Sequence, residues 1–573
     1  MTRIDERVST HVYKVKRISK EEMESIAGVC VYDQSPFCNA ACPLKLDVKA
    51  MLKAAAENDF KKAFKIYESI APFPLILSAG CGAPCEEKCR LCELGDGIAI
   101  GDIERAVALS GGAGEKRSIF RVRKKKKAAV FGSGLFALLL AGELEKKGYP
   151  VTAICGEADE EEYLRVAAGF LREDDFYTEL KRLRGKDIAF KFNAEMTREL
   201  FEEKRGGFDV LCASEKAALD IFPGAVRDEG IMLMESEGLL TGGGETVLEA
   251  ALGARKAALT ADRLAQGIDP RSARGEEGPV TSRLYTNPDL ARGLIRIKGC
   301  ESGYTREQAA EEAGRCMQCH CDECLRGCAY LRRFNKHPGL LSREIYNNTQ
   351  IIMGDHPLNR AMNACALCGQ CTVTCPHGFD MAHVCRTARE NMVDTDKMPL
   401  AAHEFALLDM LFSNGEAYLC RKQPGHSHCR YVFFPGCQAA AIAPEAVIAA
   451  YEDLCTRLKG GVALMLGCCG AIAHWAGRGE MYGEVRDKIA AELAALEDPV
   501  IIAGCPSCMK LLSEQDMAET VGIWTVLRDR GLPDGARGGG RAVLHDACGA
   551  RGYPKTRSAV RHIMEELGYQ LIE

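Results

Sequence analysis

The run Cys365-x-x-Cys368-x-x-Cys371-x-x-x-Cys375-Pro376 is the ligand loop of a [4Fe–4S] cluster of bacterial ferredoxin type. Three thiolates on one short loop hold three irons of a cube. The fourth cysteine, followed by proline, serves a second cluster nearby. Such clumps recur, since the chain has 29 cysteines among 573 residues. Upstream stands Cys316-x-x-Cys319-x-Cys321-x-x-Cys324-x-x-x-Cys328. Two such loops make a ferredoxin-like module with crossed fourth ligands. Cys365, Cys368 and Cys371 are expected to pair with Cys328. Cys375 is expected to join Cys321, Cys324 and either Cys316 or Cys319. Five cysteines compete for four places there, so one is spare. Cys300 and Cys385 fall outside the loops and read as buried thiols.

A different clumping closes the chain: Phe433-Phe-Pro-Gly-Cys437, Gly467-Cys468-Cys469-Gly470 and Gly504-Cys505-Pro-Ser-Cys508. Apolar runs at 462–466 and 499–503 end at these cysteines. They read as parallel strands delivering ligands at their C-terminal tips. Adjacent cysteines suit the bridging of iron pairs better than the corners of one cube. These spacings resemble the CCG domain found in heterodisulfide reductase and in many anaerobic iron–sulfur oxidoreductases. The resemblance implies one non-cubane [4Fe–4S] cluster on Cys437, Cys468, Cys469, Cys505 and Cys508, with disulfide chemistry there. The long spacer between the two ferredoxin loops resembles the ferredoxin-like component of heterodisulfide reductase and the iron–sulfur component of glycolate oxidase. A second CCG copy opens at Val543-Leu-His545-Asp546-Ala-Cys548-Gly and stops at Tyr569–Glu573. Either the copy is shortened or a neighbouring chain completes it. His545 and Asp546 read as a strand-end pair, with proton transfer as the rival role.

Near the start stand Cys30-x-x-Asp33-x-x-x-x-Cys38-x-x-x-Cys42-Pro43, then Cys81-x-x-x-Cys85-x-x-x-Cys89, then Ile100-Gly-Asp-Ile-Glu104-Arg105. The intervening stretch has helical periodicity. This resembles the N-terminal iron–sulfur domain of the glutamate synthase small subunit, dihydropyrimidine dehydrogenase and the large subunit of the electron-bifurcating transhydrogenase. The resemblance implies two interleaved cubes. One takes Cys30, the position of Asp33, Cys38 and Cys89. The other takes Cys42, Cys81, Cys85 and the position of Glu104. Relatives carry cysteine where Asp33 stands. Asp33 ligating iron, Cys92 substituting for it, and a cluster with an open or missing iron all remain open. Glu104 has an ordinary helix-surface acid as its alternative reading.

Between these segments, Ala128-Ala-Val-Phe-Gly132-Ser-Gly134-Leu-Phe-Ala137 reads as strand, glycine turn and helix, and 151–155 as the next strand. Gly132 permits the tight turn, and Gly134 lets a pyrophosphate approach the helix N-terminus. Leu240-Thr-Gly-Gly243-Gly244-Glu245 resembles the closing strand of the family's flavin domain, and the resemblance makes FAD a cofactor to expect. Three departures stand out: Cys155 replaces the ribose-gripping acid, Gly244-Glu245 replaces Gly-Asp, and the inserted nicotinamide domain is missing. A scaffold without flavin fits equally.

The net charge of −6 gives no electrostatic case for nucleic acid. No apolar run is long enough for a membrane span, and no signal-peptide core opens the chain. A cytoplasmic location is expected, where reduced thiols mean metal or redox chemistry. Zinc, the rival metal, prefers separated C-x-x-C pairs.

The expected fold is multidomain α/β. It comprises a helical bis-[4Fe–4S] domain (1–117), a truncated Rossmann-type FAD-like domain (118–268), an α-helical ferredoxin-like module (269–395) and a CCG α/β domain (396–573). Up to four cubanes and one non-cubane cluster would fit. The leading function is an iron–sulfur oxidoreductase subunit of anaerobic metabolism. It would relay electrons between a redox partner (a flavoenzyme, a ferredoxin or a protein like heterodisulfide reductase) and the CCG site. A thiol–disulfide reductase is the alternative, and a flavin-dependent NAD(P)H oxidoreductase is weakened by the missing domain.

Overall fold

The computed structural model describes residues 18–111, 123–272, 274–275, 277–300, 303–399 and 402–572. The expected boundary at 117/118 and the terminal Glu573 lie outside the described residues. The chain forms two compact units. One is Asp33–Cys321, and the other joins Met1–Tyr32 to Asp322–Glu573. The first described helix, α1 (Lys20–Ala27), belongs to the second unit. Ser19 starts it by accepting a hydrogen bond from the Glu22 N–H at 3.0 Å.

In the unit 33–321, helices α2 (Val48–Ala56), α3 (Phe60–Glu68), α4 (Pro74–Gly80) and α5 (Ile100–Gly111) carry the first cysteine clump. Asp47 and Asp59 cap α2 and α3, accepting from the N–H groups of Ala50 and Lys62 at 3.1 and 3.0 Å. On α3 the stripe Phe60, Ala63, Phe64 and Tyr67 follows the helical period and is buried. Each large side chain in that stripe contributes roughly 1.5–3 kcal/mol by leaving water.

A six-stranded sheet follows. Its strands are β1 (Ala128–Phe131), β2 (Val151–Ile154), β3 (Ile188–Lys191), β4 (Val210–Ser214), β5 (Leu233–Met234) and β6 (Leu239–Gly242). Their order is β3-β2-β1-β4-β6-β5, parallel except for β5. Every residue of β1 is buried, as a central parallel strand requires. Helix α6 (Leu135–Lys146) leaves the glycine turn after β1. Gly132 has φ +85°, and a Cβ there would lie 2.4 Å from Ser214 Oγ. Only α7 (Glu215–Ile221) and β5 stand between β4 and β6, so this stretch holds no second nucleotide-binding fold. Helix α8 (Val247–Gln266) packs back on α6 and closes the layer.

The stretch after α8 departs from the expected four-segment division. Helix α9 (Arg306–Gly314) packs on α2 and α5, within the unit of the first cysteine clump. A capping box of Thr305 and Gln308 starts α9. Glu312, fully buried, accepts from the N–H groups of Ala99 at 3.0 Å and Ile297 at 2.9 Å. Arg315 pairs with it at 2.6 Å and donates to the Asp96 carbonyl at 2.6 Å. A buried carboxylate with three partners fixes this segment more specifically than apolar packing would.

In the other unit, α10 (Pro338–Gln350) and α11 (Met381–Asp394) pack with α1 around Met23, Leu341, Ile345, Met362, Phe379 and Val384. The C-terminal sheet comprises β7 (Leu419–Arg421), β8 (Tyr431–Phe434), β9 (Val462–Leu466), β10 (Val500–Ala503) and β11 (Thr520–Gly522). Their order is β11-β10-β8-β9-β7, with only β7 antiparallel. Between β9 and β11 run the helices α12 (Ala471–Trp475), α13 (Gly479–Ala495) and α14 (Pro506–Glu514). The stretch from 540 onward folds as β12 (Gly540–Val543), α15 (Pro554–Glu566) and β13 (Tyr569–Ile572), with the two strands parallel. Asp546 is held by Arg557 and Arg561 of α15, each at 3.0 Å, which gives it the strand-end structural role.

Candidate metal centres

The three central strands of the C-terminal sheet, β8, β9 and β10, are mutually parallel and end on one edge. Cys437 follows β8, Cys468 and Cys469 follow β9, and Cys505 and Cys508 follow β10. The five thiols form a contiguous chain. Cys437 meets Cys468, Cys468 meets Cys469, Cys469 meets Cys508 and Cys508 meets Cys505. Gly436, at φ +88°, makes the approach, since a Cβ there would lie 3.2 Å from Cys508 Sγ. A hydrogen bond from Cys508 holds the Cys505 thiol down to about 6, and contact with Cys468 pushes Cys437 up. Crowded thiols of opposite tendency share protons, and binding iron would release them.

Cys324, Cys328 and the whole Cys365 loop lie in the same unit, whereas Cys316, Cys319 and Cys321 fall in the unit 33–321. Cys30, Cys328, Cys365 and Cys375 pack against the core that contains Cys324, Cys371 and Cys385. Cys365 and Cys328 are near neighbours of Cys371. Cys385 is buried as expected and also hydrogen-bonds Cys365, bringing that thiol down to about 7. The sequence offered no signal for that contact. Cys300, by contrast, is exposed rather than buried, with Gln308 Oε1 at 3.7 Å. Cys368 accepts from Arg551 at 3.7 Å, and Cys321 is half-buried at the end of the other unit. Arg389, fully buried on α11, donates to the carbonyls of Met362, Cys365 and Trp475. It ties the ferredoxin loop to α12, just past Cys468 and Cys469. Gly477, at φ +75°, allows this approach, because a Cβ there would lie 2.6 Å from the Arg389 carbonyl carbon.

A cavity of about 670 Å³ lies beside this junction. Cys365 and Cys368 line one side, Ser507 and Lys510 another, and His474, His403 and Cys548 also face it. Burial, with Arg386 and Lys510 nearby, lowers His474 to about 4. Its unfolded value is the ordinary 6.5, so the unfolded chain takes up this proton first as pH falls. Stability is therefore complete above pH ~6.5 and is lost as pH falls towards 4. Urea unfolding at pH 7 and pH 5 is expected to show that loss, reduced in His474→Gln.

In the unit 33–321, Cys42, Cys81, Cys85 and Glu104 come together as the resemblance implies. Glu104 and Cys42 are near neighbours of both Cys81 and Cys85. Glu104 is 3% exposed, so it is no helix-surface acid. Burial raises it to about 8, opposed by the Tyr67 hydroxyl that faces it without closing a well-formed hydrogen bond. A buried carboxyl among thiols, beside a tyrosine hydroxyl without a partner, fits a site built for positive charge. The other expected set draws on residues of both units. Cys30 belongs to the other unit, and Asp33 is exposed. Cys92 is exposed too, its thiol donating to the Glu86 carbonyl at 3.4 Å. The thiols beside Cys38 are Cys316, Cys319 and Cys89.

Backbone N–H groups point at these sulfurs in a repeated pattern, two residues on. Leu44 donates to Cys42, Ala83 to Cys81, Leu91 to Cys89 and Leu367 to Cys365. Such bonds favour thiolate and tune a cluster's potential. Among the described residues, no three His, Cys, Asp or Glu side chains converge on a single-ion site.

The glycine turn fits a dinucleotide less well. The space at Gly134 is open, but Cys155 is fully buried and unavailable to a ribose. A Cβ on Gly243 would lie 2.3 Å from Glu215 Oε2, which puts a carboxylate against the closing glycines. Gly244 and Glu245 are exposed. Glu157, two residues past Cys155, has a buried oxygen without a partner and was missed in the sequence. These contacts do not build the flavin site the resemblance describes.

Three segments match known family models. Residues 7–112 match dihydropyrimidine dehydrogenase domain II, 4Fe-4S cluster. Residues 315–380 match a 4Fe-4S dicluster domain, and 431–513 a cysteine-rich domain. The chain is 28% identical over 230 residues to the NADPH-Fe(3+) oxidoreductase beta subunit of Geobacter sulfurreducens, covering 38% of this chain and 33% of that protein. It is 28% identical over 159 residues to the NADP(+)-dependent formate dehydrogenase beta subunit of Moorella thermoacetica, covering 23% and 21%. To the glutamate synthase [NADPH] small chain of Azospirillum brasilense it is 29% identical over 146 residues, covering 24% and 29%. The match thus spans a third or less of each relative's length. No helix among the described residues is long and apolar enough to cross a membrane. Three segments of the chain thus match iron–sulfur and cysteine-rich family models in series, and the relatives named are subunits of oxidoreductases.

Proposed function

We propose that this chain is an electron-transferring iron–sulfur subunit in the cytoplasm of an anaerobe. It relays electrons between a partner flavoenzyme or ferredoxin and the five-cysteine site at the tips of β8, β9 and β10. The observation that carries this reading is Arg389, whose guanidinium grips the Cys365 carbonyl and the Trp475 carbonyl at once. It fixes the ferredoxin loop against the element that follows Cys468 and Cys469. When bound, the clusters supply one-electron storage. The chain's residues set each potential by burial, by N–H groups aimed at sulfur, and by the Arg389 charge.

The relay is tested by flash reduction of the anaerobically prepared chain with a low-potential donor. Absorbance should bleach in successive phases, and Cys365→Ala should abolish the slow phase assigned to the C-terminal site. An unchanged slow phase would remove the relay through that loop.

The cavity favours a second reading, a thiol–disulfide reductase. A disulfide accepts two electrons and two protons, giving two thiols. Cys548 and three histidines line the cavity, so thiol and proton carriers stand where the five-cysteine domain faces it. A new paramagnetic signal on adding a disulfide or thiol would favour this reading. Silence with every thiol compound would sink it.

A further inference from the structure

Two irregularities in the sequence answer each other in the fold. In the first set of the N-terminal clump Asp33 is exposed, and the thiols beside Cys38 are Cys316, Cys319 and Cys89. The loop at Cys316 has a surplus. We propose that Cys38, Cys89, Cys316 and Cys319 together hold one [4Fe–4S] cube. The Cys316-x-x-Cys319 pair then belongs to the N-terminal clump and not to the ferredoxin module. This rests on reading the thiols as iron–sulfur ligands.

Four observations carry it. The four cysteines line one small apolar pocket, with Phe37, Leu52, Leu91 and Ile98 among its walls. The pocket is small, about 20 Å³, and mostly apolar, so the sulfurs of Cys89, Cys316 and Cys319 stand close to Cys38 and largely out of water. The pair is fastened in place from both sides. Lys49 Nζ donates to the Cys319 carbonyl at 2.9 Å, and Gln318 Nε2 donates to the Lys49 carbonyl at 3.3 Å. Buried Glu312 and Arg315 anchor the residues just before Cys316.

The loop also has the backbone of a cluster loop. In Cys316-Met-Gln318-Cys319 the residue before the second cysteine has φ +50°. In the ferredoxin loop Cys365-Ala-Leu367-Cys368 the matching residue has φ +51°. Neither is glycine, so each holds a left-handed conformation against its steric preference. In both loops that strained residue aims its N–H at the first cysteine's sulfur. Gln318 adds its side-chain amide to Cys316 Sγ at 3.4 Å. A C-x-x-C pair with no metal to hold has no reason to keep the same strain.

The test counts iron and labile sulfide in full-length protein prepared anaerobically. Cys38→Ala and the pair Cys316→Ala/Cys319→Ala are each expected to lose about four irons per chain, with the same EPR signal. Combining them should lose no more than either alone. Cys375→Ala should lose a different signal, and its loss should add to that of the Cys316/Cys319 pair. Additive loss for Cys38 with the pair, about eight irons, would overturn the proposal. Asp33→Ala keeps the check open if the cysteine variants do not fold. Full iron and an unchanged spectrum are expected, whereas loss of a cluster would restore Asp33 as the ligand. Wild-type chain without iron would instead refute the proposed function itself.

Discussion

Cys468→Ala/Cys469→Ala is expected to remove about four irons per chain and to stop electron exchange at the C-terminal site, while the ferredoxin-loop signals persist. Cys469 is the middle of the thiol chain, touching both Cys468 and Cys508. Removing it with its neighbour leaves Cys437 on one side and Cys505 and Cys508 on the other. Losing an outer-shell partner of a metal ligand typically costs 10–100-fold in affinity or activity, so losing two ligands should cost more than ~100-fold. Stability should fall less, because β8, β9 and β10 keep their parallel pairing and their buried apolar faces. Cys455→Ser, in the same domain but outside the motif, should keep its iron. Electron-transfer rates and iron analysis on the two variants check this. Equal iron in both would show that the adjacent cysteines are not ligands.

Arg389→Ala should produce the largest loss of stability from a single side chain that is not a cysteine. Its guanidinium is fully buried and satisfies carbonyls of Met362, Cys365 and Trp475. Each buried acceptor left without a donor costs ~1–3 kcal/mol, so the substitution should cost about 3–5 kcal/mol. Burial disfavours the charge, which lowers the Arg389 pKa, and the neighbouring thiols Cys385 and Cys365 offset part of that effect. A fixed positive charge beside the Cys365 loop also favours the reduced, more negative cluster. Arg389→Ala should therefore move that cluster to a more negative potential. Arg389→Lys separates the two effects, because lysine keeps the charge but lacks the planar fork. It should lose stability while keeping most of the potential. A potential that is the same in all three proteins would show that Arg389 only holds the fold together.

Legibility in the sequence followed the range of the interactions. The clustering of the five C-terminal cysteines was readable because they follow short apolar strands, and three such strands in a parallel sheet must bring their tips to one edge. The Cys365 loop was readable because its cysteines are close together in sequence. Glu104 was readable only through its position after the Cys81 clump, and burial, not spacing, distinguishes it from a surface acid. The ownership of Cys316 and Cys319 was not readable. Their spacing joins them to Cys321, whereas Glu312, Arg315 and Lys49 fasten them to helices hundreds of residues earlier. Arg389 carried no signal either, because its acceptors are backbone carbonyls, which every residue has.

The most direct measurement is metal and labile-sulfide content of the full chain isolated without oxygen. Clusters in both units and at the C-terminal strand tips predict about sixteen or more irons per chain, matched by sulfide, with no stoichiometric zinc. Zinc at one or more per chain, with iron near zero, would contradict the account.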